Sequence, residues 1–381
     1  MKIVGIICEY HPFHLGHARQ IACIRERYGA DAAVVCVMSG NYVQRGEAAM
    51  FDKYTRAYAA LANGCDLIAE LPYPWSCAQA PFFAAGGIAL LRAMGCIDAV
   101  CFGSETGDAA YLRRTARRLS SPDFAEAMRR SQETRDGAVS DIRHREAVYR
   151  ALYGEGLPAG ANDMLGAEYL IAMERTGFAA EPFVLRREGG WSATALREAM
   201  RAGKTAPHGL PSGVPDILRT AHRPDPTVLA HALLTHFLLT PPERYADCEG
   251  AGGGMAYRIA RAAQTCTTAD GLLRALACKS LTHAALRRTL WHCLFSVTRD
   301  DLRTTPERAL ILGMTERGKA CLARMRKSAV VPVVTRPARY VGSQAQTAKK
   351  AATADGLYAL ACGCSADHFL REAPRILQTD G

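Results

Sequence analysis

The chain has 381 residues, of which 49% are hydrophobic and 22% are charged, and its formal net charge at pH 7 is +10. This length is sufficient for two domains of ordinary size, and the hydrophobic content excludes a chain that is disordered throughout. The positive charge favours a polyanionic partner, with nucleic acid first and a membrane surface second, but charge alone is equally consistent with a basic protein that binds neither.

The fourteen cysteines show no repeated C-x-x-C spacing. The closest pair, Cys362 and Cys364, cannot fill a four-ligand zinc site, and no C-x-x-C or H-x-x-x-H completes one, so no metal site is predicted. Others, such as Cys8 and Cys36, lie in apolar runs and are expected to be buried thiols. No signal peptide precedes the first strand, and no apolar run reaches about 18 residues. We therefore expect a cytoplasmic protein with reduced thiols and no membrane span.

Residues 1 to about 105 alternate between strand and helix patterns. Strands are predicted over residues 3–8, 32–38, 67–71 and 99–102, and helices over residues 18–28, 53–63 and 82–94. This rhythm predicts an α/β fold with a doubly wound parallel sheet.

A turn with two histidines follows the first predicted strand. The apolar run of this strand ends before residues 9–13, and His14-Leu15-Gly16-His17 then begins a helix. Gly16 lets backbone approach a phosphate, and the free N–H groups of a helix start attract an anion. His14 and His17 can donate hydrogen bonds to phosphoryl oxygens as charge develops. This four-residue motif alone is also consistent with histidines that donate to carbonyl groups of the turn. Its position between a strand and a helix favours a nucleotide-phosphate site.

The second predicted strand ends in Ser39-Gly40-Asn41, at the edge of a parallel sheet where ligands bind. Residues 108–153 are polar, helical and rich in arginine, which indicates a solvated helix face more strongly than an RNA-facing surface. Asn162 is expected to cap a helix over residues 167–175, and a last strand is expected over residues 183–187.

Residues 192–197 begin a further helix with two hydroxyl groups and a guanidinium. Ser192 and Thr194 can donate to phosphate oxygens beside the helix N–H groups, and Arg197 adds a charged fork. Alone, this pattern also fits an ordinary serine cap with a surface arginine. The Gly- and Pro-rich stretch 203–215 is the predicted boundary between a domain of residues 1–205 and a domain of residues 206–381.

The second domain is predicted to be mainly helical and basic. Helices are expected over residues 227–239, 258–266, 272–279, 284–295, 318–327 and 365–377, with a linker over residues 341–355.

Several segments together resemble the tRNA cytidine acetate ligase family of the HxGH nucleotidyltransferase superfamily. They are GIICEYHPFHLGH, VMSGNYVQRGEAAMFDKYTRAYAAL, CFGSE, NDMLGAEYL and SATALR, and the resemblance covers most of the chain. It implies a HUP/Rossmann-like ATP-binding domain followed by a helical domain that holds tRNA. It also implies that ATP activates acetate as acetyl-adenylate, and that the acetyl group passes to N4 of the wobble cytidine of elongator tRNA(Met).

The resemblance also implies roles for individual residues. His14 and His17 would be catalytic, through contacts with the phosphates. The implied ATP contacts are Ile7, Cys8, Glu9, Tyr10, His11, Pro12, Phe13, His14, Leu15, Gly16, His17, Ala18, Arg19, Gln20, Gly103, Asn162, Arg187, Ser192, Thr194 and Arg197. The chain departs from the family at His11, where asparagine is usual, and this places a further titratable group in the ATP loop. Magnesium is expected as a phosphate counter-ion, although no carboxylate cluster identifies its ligands.

Substrate contacts are predicted from the residues after the second strand. They are Ser39, Asn41, Arg45 and Lys53, with Arg45 as a candidate for the acetate carboxylate and Lys53 for the tRNA end of the site. Two other readings stay open. A small-molecule adenylyltransferase would explain the histidine turn but not the long basic second half. An RNA-binding or assembly protein with a decayed nucleotide site would leave the intact His14, Gly16, His17 and Arg197 unexplained. The sequence predicts no oligomeric state.

Overall fold

The computed structural model describes residues 1–133, 141–188, 190–205, 207–340 and 345–377. Its strands are β1 Ile3–Cys8, β2 Ala33–Ser39, β3 Tyr42–Val43, β4 Glu47–Ala48, β5 Leu67–Leu71, β6 Ala99–Ser104, β7 Glu181–Arg186, β8 Ala309–Thr315, β9 Val333–Val334 and β10 Arg375–Leu377. Its helices are α1 Leu15–Tyr28, α2 Lys53–Leu61, α3 Ala80–Ala93, α4 Ala109–Leu119, α5 Pro122–Glu133, α6 Asp141–Tyr153, α7 Ala161–Thr176, α8 Ala193–Arg201, α9 Val214–Arg219, α10 Pro226–Leu239, α11 Met255–Ala263, α12 Ala269–Leu276, α13 His283–Leu294, α14 Arg299–Arg303, α15 Glu316–Ser328, α16 Gln346–Ala361 and α17 His368–Arg371.

A mostly parallel sheet with the order β10-β8-β5-β2-β1-β6-β7 forms the centre of the fold. β9 pairs with β8, β8 runs antiparallel to β5, and the hairpin of β3 and β4 stands apart. β2 lies on one side of β1 and β6 lies on the other. The chain thus changes direction across the sheet at β1, and such a switch point opens a crevice at the carboxyl ends of the strands.

The central strands are apolar on both faces because both faces are covered by helices. In β1, Val4 and Ile6 belong to one hydrophobic core, which also contains Ile21 and Ile24 of α1. Ile3 and Ile7 belong to a second core, built with residues of α3, α7 and α15. The period of two residues along a strand sends neighbouring side chains to opposite faces. The α/β fold class predicted from the sequence is therefore confirmed.

The predicted elements of residues 1 to 105 are confirmed within a few residues at their ends. Of the later elements, the expected strand over residues 183–187 is β7, and the helices expected over residues 227–239, 258–266, 272–279, 284–295 and 318–327 are α10, α11, α12, α13 and α15. No helix among the described residues is both long enough and apolar enough to cross a bilayer.

The structure differs from the predictions for the second half at three places. One strand, β8, was not predicted, although all seven of its residues are buried beside β5. The helix expected over residues 365–377 is only the four-residue α17, because Pro374 cannot continue a helix and the next three residues pair with β8. The linker expected over residues 341–355 is largely α16, whose alanines favour a helix, while residues 341–344 lie outside the described residues.

The second half therefore adds strands to the sheet that the first half begins. β8 and β10 extend that sheet at its β5 edge, so residues 206–381 are not wholly helical. The division into domains at residues 203–215 stays a prediction.

Candidate active site

A cleft of about 400 Å³ lies at the carboxyl ends of β1, β6 and β7. Most of the residues with an implied role in ATP binding line it: Ile7, Cys8, Glu9, Tyr10, His11, His14, Gly16, His17, Arg19, Gln20, Gly103, Asn162, Arg187, Ser192, Thr194 and Arg197. The fold therefore brings together segments that lie far apart in the sequence, at the position where open parallel sheets bind ligands.

The two histidines of the turn cap helix α1 reciprocally. His14 is the N-cap residue, and its Nδ1 accepts a hydrogen bond of 3.1 Å from the backbone N–H of Gly16. Nδ1 of His17 accepts a hydrogen bond of 3.1 Å from the backbone N–H of His14. A nitrogen that accepts from an N–H carries no proton, so each neutral imidazole carries its proton on Nε2. The sequence thus sets the tautomer of both rings through local backbone contacts.

Both imidazoles are held in the neutral form. Burial, with the nearby guanidinium of Arg187, lowers the pKa of His14 to about 4. Burial, together with His14 and Arg187, lowers the pKa of His17 well below its usual range. The two rings stack with their centroids 3.7 Å apart, which makes a second positive charge unfavourable. At neutral pH the turn therefore presents two N–H donors without a net charge.

Arg197 forms the opposite wall with the start of helix α8. The helix starts where it was predicted, and Ser192 is its N-cap. The guanidinium of Arg197 is buried, and it donates from Nη1 to the carbonyl oxygen of His11 (2.9 Å) and from Nη2 to Oγ1 of Thr194 (3.2 Å). Its Nε has no hydrogen-bond partner among the described residues, and the nearest carboxylate oxygen, on Glu47, is 3.9 Å away. One buried donor of Arg197 is therefore available to an anion in the cleft.

Asn162 and Arg187 lie on the third side of the cleft, near Gly103. Arg187 donates from Nη1 to Oδ1 of Asn162 (3.1 Å), and Asn162 donates from Nδ2 to Glu105 (2.6 Å). The expectation that Asn162 caps a helix is wrong, because α7 begins at residue 161 with Gly160 as its N-cap. Asn162 lies instead in the first turn, where its side chain holds the guanidinium of Arg187.

His11, the departure from the family pattern, has a structural contact. Its side chain is buried, and its Nε2 accepts a hydrogen bond of 2.8 Å from the backbone N–H of Met50. Burial and the nearby Arg197 lower its pKa well below the usual range. The ring therefore ties the predicted ATP loop, residues 7–20, to the segment before α2 as a neutral group.

Four residues of the predicted ATP loop do not line the cleft: Pro12, Phe13, Leu15 and Ala18. Phe13 is buried in a hydrophobic core, and the backbone N–H of Leu15 donates to the carbonyl oxygen of Gly209 (2.9 Å). Phe13 and Leu15 therefore anchor the loop on the side away from the cleft. The roles of all four residues in ATP binding, like those of the lining residues, stay predictions.

Of the predicted substrate residues, only Arg45 lines the cleft, and its side chain is exposed there. Ser39, Asn41 and Lys53 are buried outside the cleft. Nζ of Lys53 lies 2.8 Å from Oε1 of Glu70 and also pairs with Asp355, while Asn41 donates to Asp355 (2.9 Å). Although burial opposes the charge, Asp355 and Glu70 raise the pKa of Lys53, so it stays an ammonium. This placement favours a structural role for all three, and their substrate role stays an untested prediction.

Sequence reasoning did not identify several residues that line the cleft: Gln44, Glu47, Phe102, Tyr169, Glu188 and Trp191. Glu47 pairs with Arg287 (3.2 Å), which belongs to the second half of the chain, and no local pattern could indicate that contact. Trp191 packs beside Gly16 and Gly209. The position of Trp191 directly before Ser192, in an otherwise polar segment, was the one sequence feature that could have indicated its place in the cleft.

The sheet topology and the cleft together define an α/β nucleotidyltransferase. The family model of the HIGH Nucleotidyl Transferases matches residues 1–370. A tRNA(Met) cytidine acetate ligase of Syntrophotalea carbinolica is 35% identical over 364 residues, covering 89% of this chain and 86% of that protein. A tRNA(Met) cytidine acetate ligase of Levilactobacillus brevis is 32% identical, covering 89% and 90%. The chain therefore belongs to the tRNA(Met) cytidine acetate ligase family of HIGH nucleotidyltransferases.

Solved structures agree with this assignment. The crystal structure of Thermotoga maritima TmcAL bound with alpha-thio ATP superimposes with a TM-score of 0.90 at 27% identity, and each chain is covered completely. The apo form of the same protein gives a TM-score of 0.89 at 26% identity. The fold described above is thus shared along its full length with a protein of known structure.

Replacement of Lys53 by methionine tests the structural role of its ion pairs. The change leaves the buried carboxylate of Glu70 and the half-buried carboxylate of Asp355 without the ammonium that pairs with both, so we expect a loss of about 3–5 kcal/mol in the free energy of unfolding, measured by urea titration. Lys319→Met, which removes an exposed pair with Glu316, is the matched control and should cost less than about 1 kcal/mol. Equal, small losses in both variants would contradict the structural assignment.

Acidification should destabilise the protein through His14. In the unfolded chain the imidazole of His14 binds a proton near pH 6.5. In the folded protein the same imidazole binds a proton only near pH 4. Stability from this group is therefore complete above pH 7 and falls as the pH drops from about 6.5 towards 4. Between pH 7.5 and 5 we expect wild type to lose about 2 kcal/mol more than His14→Gln. Identical pH dependence of the unfolding free energy in the two proteins would exclude a depressed pKa at His14.

Proposed function

We propose that this protein activates acetate with ATP and acetylates N4 of the wobble cytidine in elongator tRNA(Met). The observation that carries the proposal is the pair of neutral Nε2–H donors of His14 and His17. They line one cleft with Arg197, at the carboxyl edge of the sheet. The family supports this assignment, since the relatives described above are tRNA(Met) cytidine acetate ligases.

The first step would form acetyl-adenylate. A carboxylate oxygen of acetate forms a bond to the α-phosphorus of ATP, and the bond to the bridging oxygen breaks, so that pyrophosphate leaves. Acetate is already ionised at neutral pH and needs no general base. The work of the protein is therefore to align the reactants and to stabilise the charge on the phosphoryl oxygens. The histidine donors and the free Nε–H of Arg197 are suited to that task.

The second step would transfer the acetyl group to tRNA. N4 of cytidine attacks the acetyl carbon, the bond from that carbon to the phosphate oxygen breaks, AMP leaves, and N4 loses a proton. An anticodon base lies in a single-stranded loop, so little base pairing has to be broken to bring it to the cleft. The basic residues of the second half, within the predicted domain of residues 206–381, would contact tRNA phosphates.

Arg45 is our candidate for the acetate carboxylate. It lies in the turn between β3 and β4, where its exposed guanidinium lines the cleft near Glu9 and Arg197. A guanidinium can bind a carboxylate with two parallel hydrogen bonds. We further propose magnesium as a counter-ion of the ATP phosphates. Within the described ranges no group of three metal-ligating side chains converges at the cleft, so the phosphates would supply much of its coordination. We also place the reaction in the cytoplasm, consistent with fourteen free cysteines.

Labelled acetate tests the proposed reaction directly. With ATP, magnesium and total tRNA, wild type should place the label in elongator tRNA(Met) as N4-acetylcytidine. His17→Ala should lower the rate about 100- to 1,000-fold, because a donor to the developing charge is lost. His231→Ala, which removes an exposed imidazole of α10 outside the cleft, serves as the matched control. If no label appears in tRNA and ATP is consumed only with another small acceptor, the protein would instead be a small-molecule adenylyltransferase.

Arg45→Ala tests the acetate site. Loss of a hydrogen-bonded charge should raise the KM for acetate by about 10-fold or more while the KM for ATP stays within about two-fold. Arg201→Ala is the matched control, because Arg201 is an exposed arginine that does not line the cleft. An unchanged KM for acetate in Arg45→Ala would remove the carboxylate role.

A further inference from the structure

Three potential metal ligands meet outside the ATP cleft. His222 lies between α9 and α10, Cys364 follows α16, and His368 begins α17. One donor atom of each lies within 4.8 Å of the others, and none of the three lines the cleft. We propose that His222, Cys364 and His368 bind a zinc ion that stabilises the C-terminal segment. This site is independent of the proposed reaction.

The distances suit a tetrahedral metal centre. Nδ1 of His222 lies 3.5 Å from Sγ of Cys364. A sulfur about 2.3 Å and a nitrogen about 2.0–2.1 Å from zinc, at a tetrahedral angle, are also separated by about 3.5 Å. The same separation in a thiol–imidazole hydrogen bond is common, so this distance alone does not distinguish the two. A second feature of the cluster favours a metal ion.

That feature is the unsatisfied imidazole nitrogen of His368. Its Nε2 is inaccessible to solvent and has no hydrogen-bond partner among the described residues. The nearest carboxylate oxygen, Oε1 of Glu372, is 3.6 Å away, which is too far for a hydrogen bond. A buried polar atom without a partner is costly, and a bound metal ion would satisfy it. Water or Glu372 would then occupy the fourth position.

Backbone hydrogen bonds hold the ligand-bearing segments in place. His222 and Asp52 exchange two bonds of 3.1 Å, one from each backbone N–H, to the carboxylate of Asp52 and to the carbonyl of His222. The N–H of Cys364 donates to the carbonyl of Ala359 at the end of α16 (2.9 Å). Only side-chain rotations would therefore be required to bind an ion. One thiolate with two imidazoles is a donor set that favours zinc over magnesium or calcium.

A metal at this point would add a link between two short C-terminal elements and the core. α17 has four residues and is held by the buried Phe369, and β10 has three residues and pairs with β8. His222 is fixed to the start of α2 through Asp52, and α2 packs on the sheet. Zinc would therefore link the last described segment of the chain to a core helix, and its binding energy would add to the stability of the fold. No sequence motif indicates these ligands, because His222 and Cys364 lie far apart in the sequence.

Metal content distinguishes this proposal from a simple hydrogen-bonded cluster. Protein purified without chelator, or zinc-free protein supplied with one equivalent of zinc, should retain about one zinc per chain by mass spectrometry of the metal. Cys364→Ser should retain less than about a tenth of that amount. Cys362→Ser is the control, because the thiol of Cys362 does not belong to the group of converging ligands. No zinc in wild type, or full zinc in Cys364→Ser, would overturn the proposal, as would equal loss in both variants.

Measurements on the wild-type protein test the zinc site independently of whether a variant folds. Cobalt in place of zinc should give a thiolate-to-cobalt charge-transfer band, and zinc should slow the alkylation of Cys364 at least about 10-fold, as mapped by peptide mass spectrometry. Chelation should lower Tm, and added zinc should restore it. A cobalt spectrum without a thiolate band, or equal alkylation of Cys364 with and without zinc, would exclude Cys364 as a ligand.

Discussion

The antiparallel pairing of β8 with β5 is the constraint on which the arrangement of the two halves depends. It places a buried strand of the second half in the sheet of the first, and α15 then starts directly against β5. The backbone N–H of Thr315 donates to the carbonyl of Asp66 (2.9 Å). A Cβ on Gly318 would overlap the same carbonyl oxygen, so only glycine permits this approach. The Lys53 ion pairs reinforce the junction, because Asp355 comes from α16 and Glu70 from β5.

The shape of the cleft depends on the junction between β5 and β8. Once the second half is fixed to the sheet, helix α13 packs against the β3–β4 hairpin. Arg288 donates to the carbonyl of Gln44 (2.9 Å), and Trp291 donates to the carbonyl of Gly46 (2.9 Å). That hairpin carries Arg45 and Glu47 into the cleft. The residue proposed to bind acetate lies before residue 206, like the residues proposed to bind ATP, but its hairpin is held by a helix of the second half. Changes in α13 should therefore affect acetate more than ATP.

Local patterns predicted the part of the structure that local interactions determine. The reciprocal capping by His14 and His17, and the cap by Ser192, depend on residues within three positions of one another, and the sequence indicated a helix start at each. β8 was missed because its apolar run was not recognised beside the helical patterns around it, and the strand is fixed by β5, a partner in the first half of the chain. Nothing near Lys53 in the sequence indicates its contact with Asp355. Its burial, not its position after β2, decides what it contacts.

The neutral state of the histidines has a consequence for turnover. A cleft that held ATP mainly through fixed positive charges would bind the triphosphate and the departing pyrophosphate tightly as well, and product release would then be slow. Uncharged N–H donors bind a ground-state phosphate more weakly and strengthen as negative charge grows on the oxygens they contact. The cost is that the rings must be kept from protonation, which burial and Arg187 achieve. Arg197 would supply a permanent charge on the other side, where Nη1 and Nη2 are engaged by His11 and Thr194 and Nε stays free for an anion. In the role proposed for them, the two histidines would therefore stabilise the transition state more than either anionic ground state, while the arginines that line the cleft supply permanent charge.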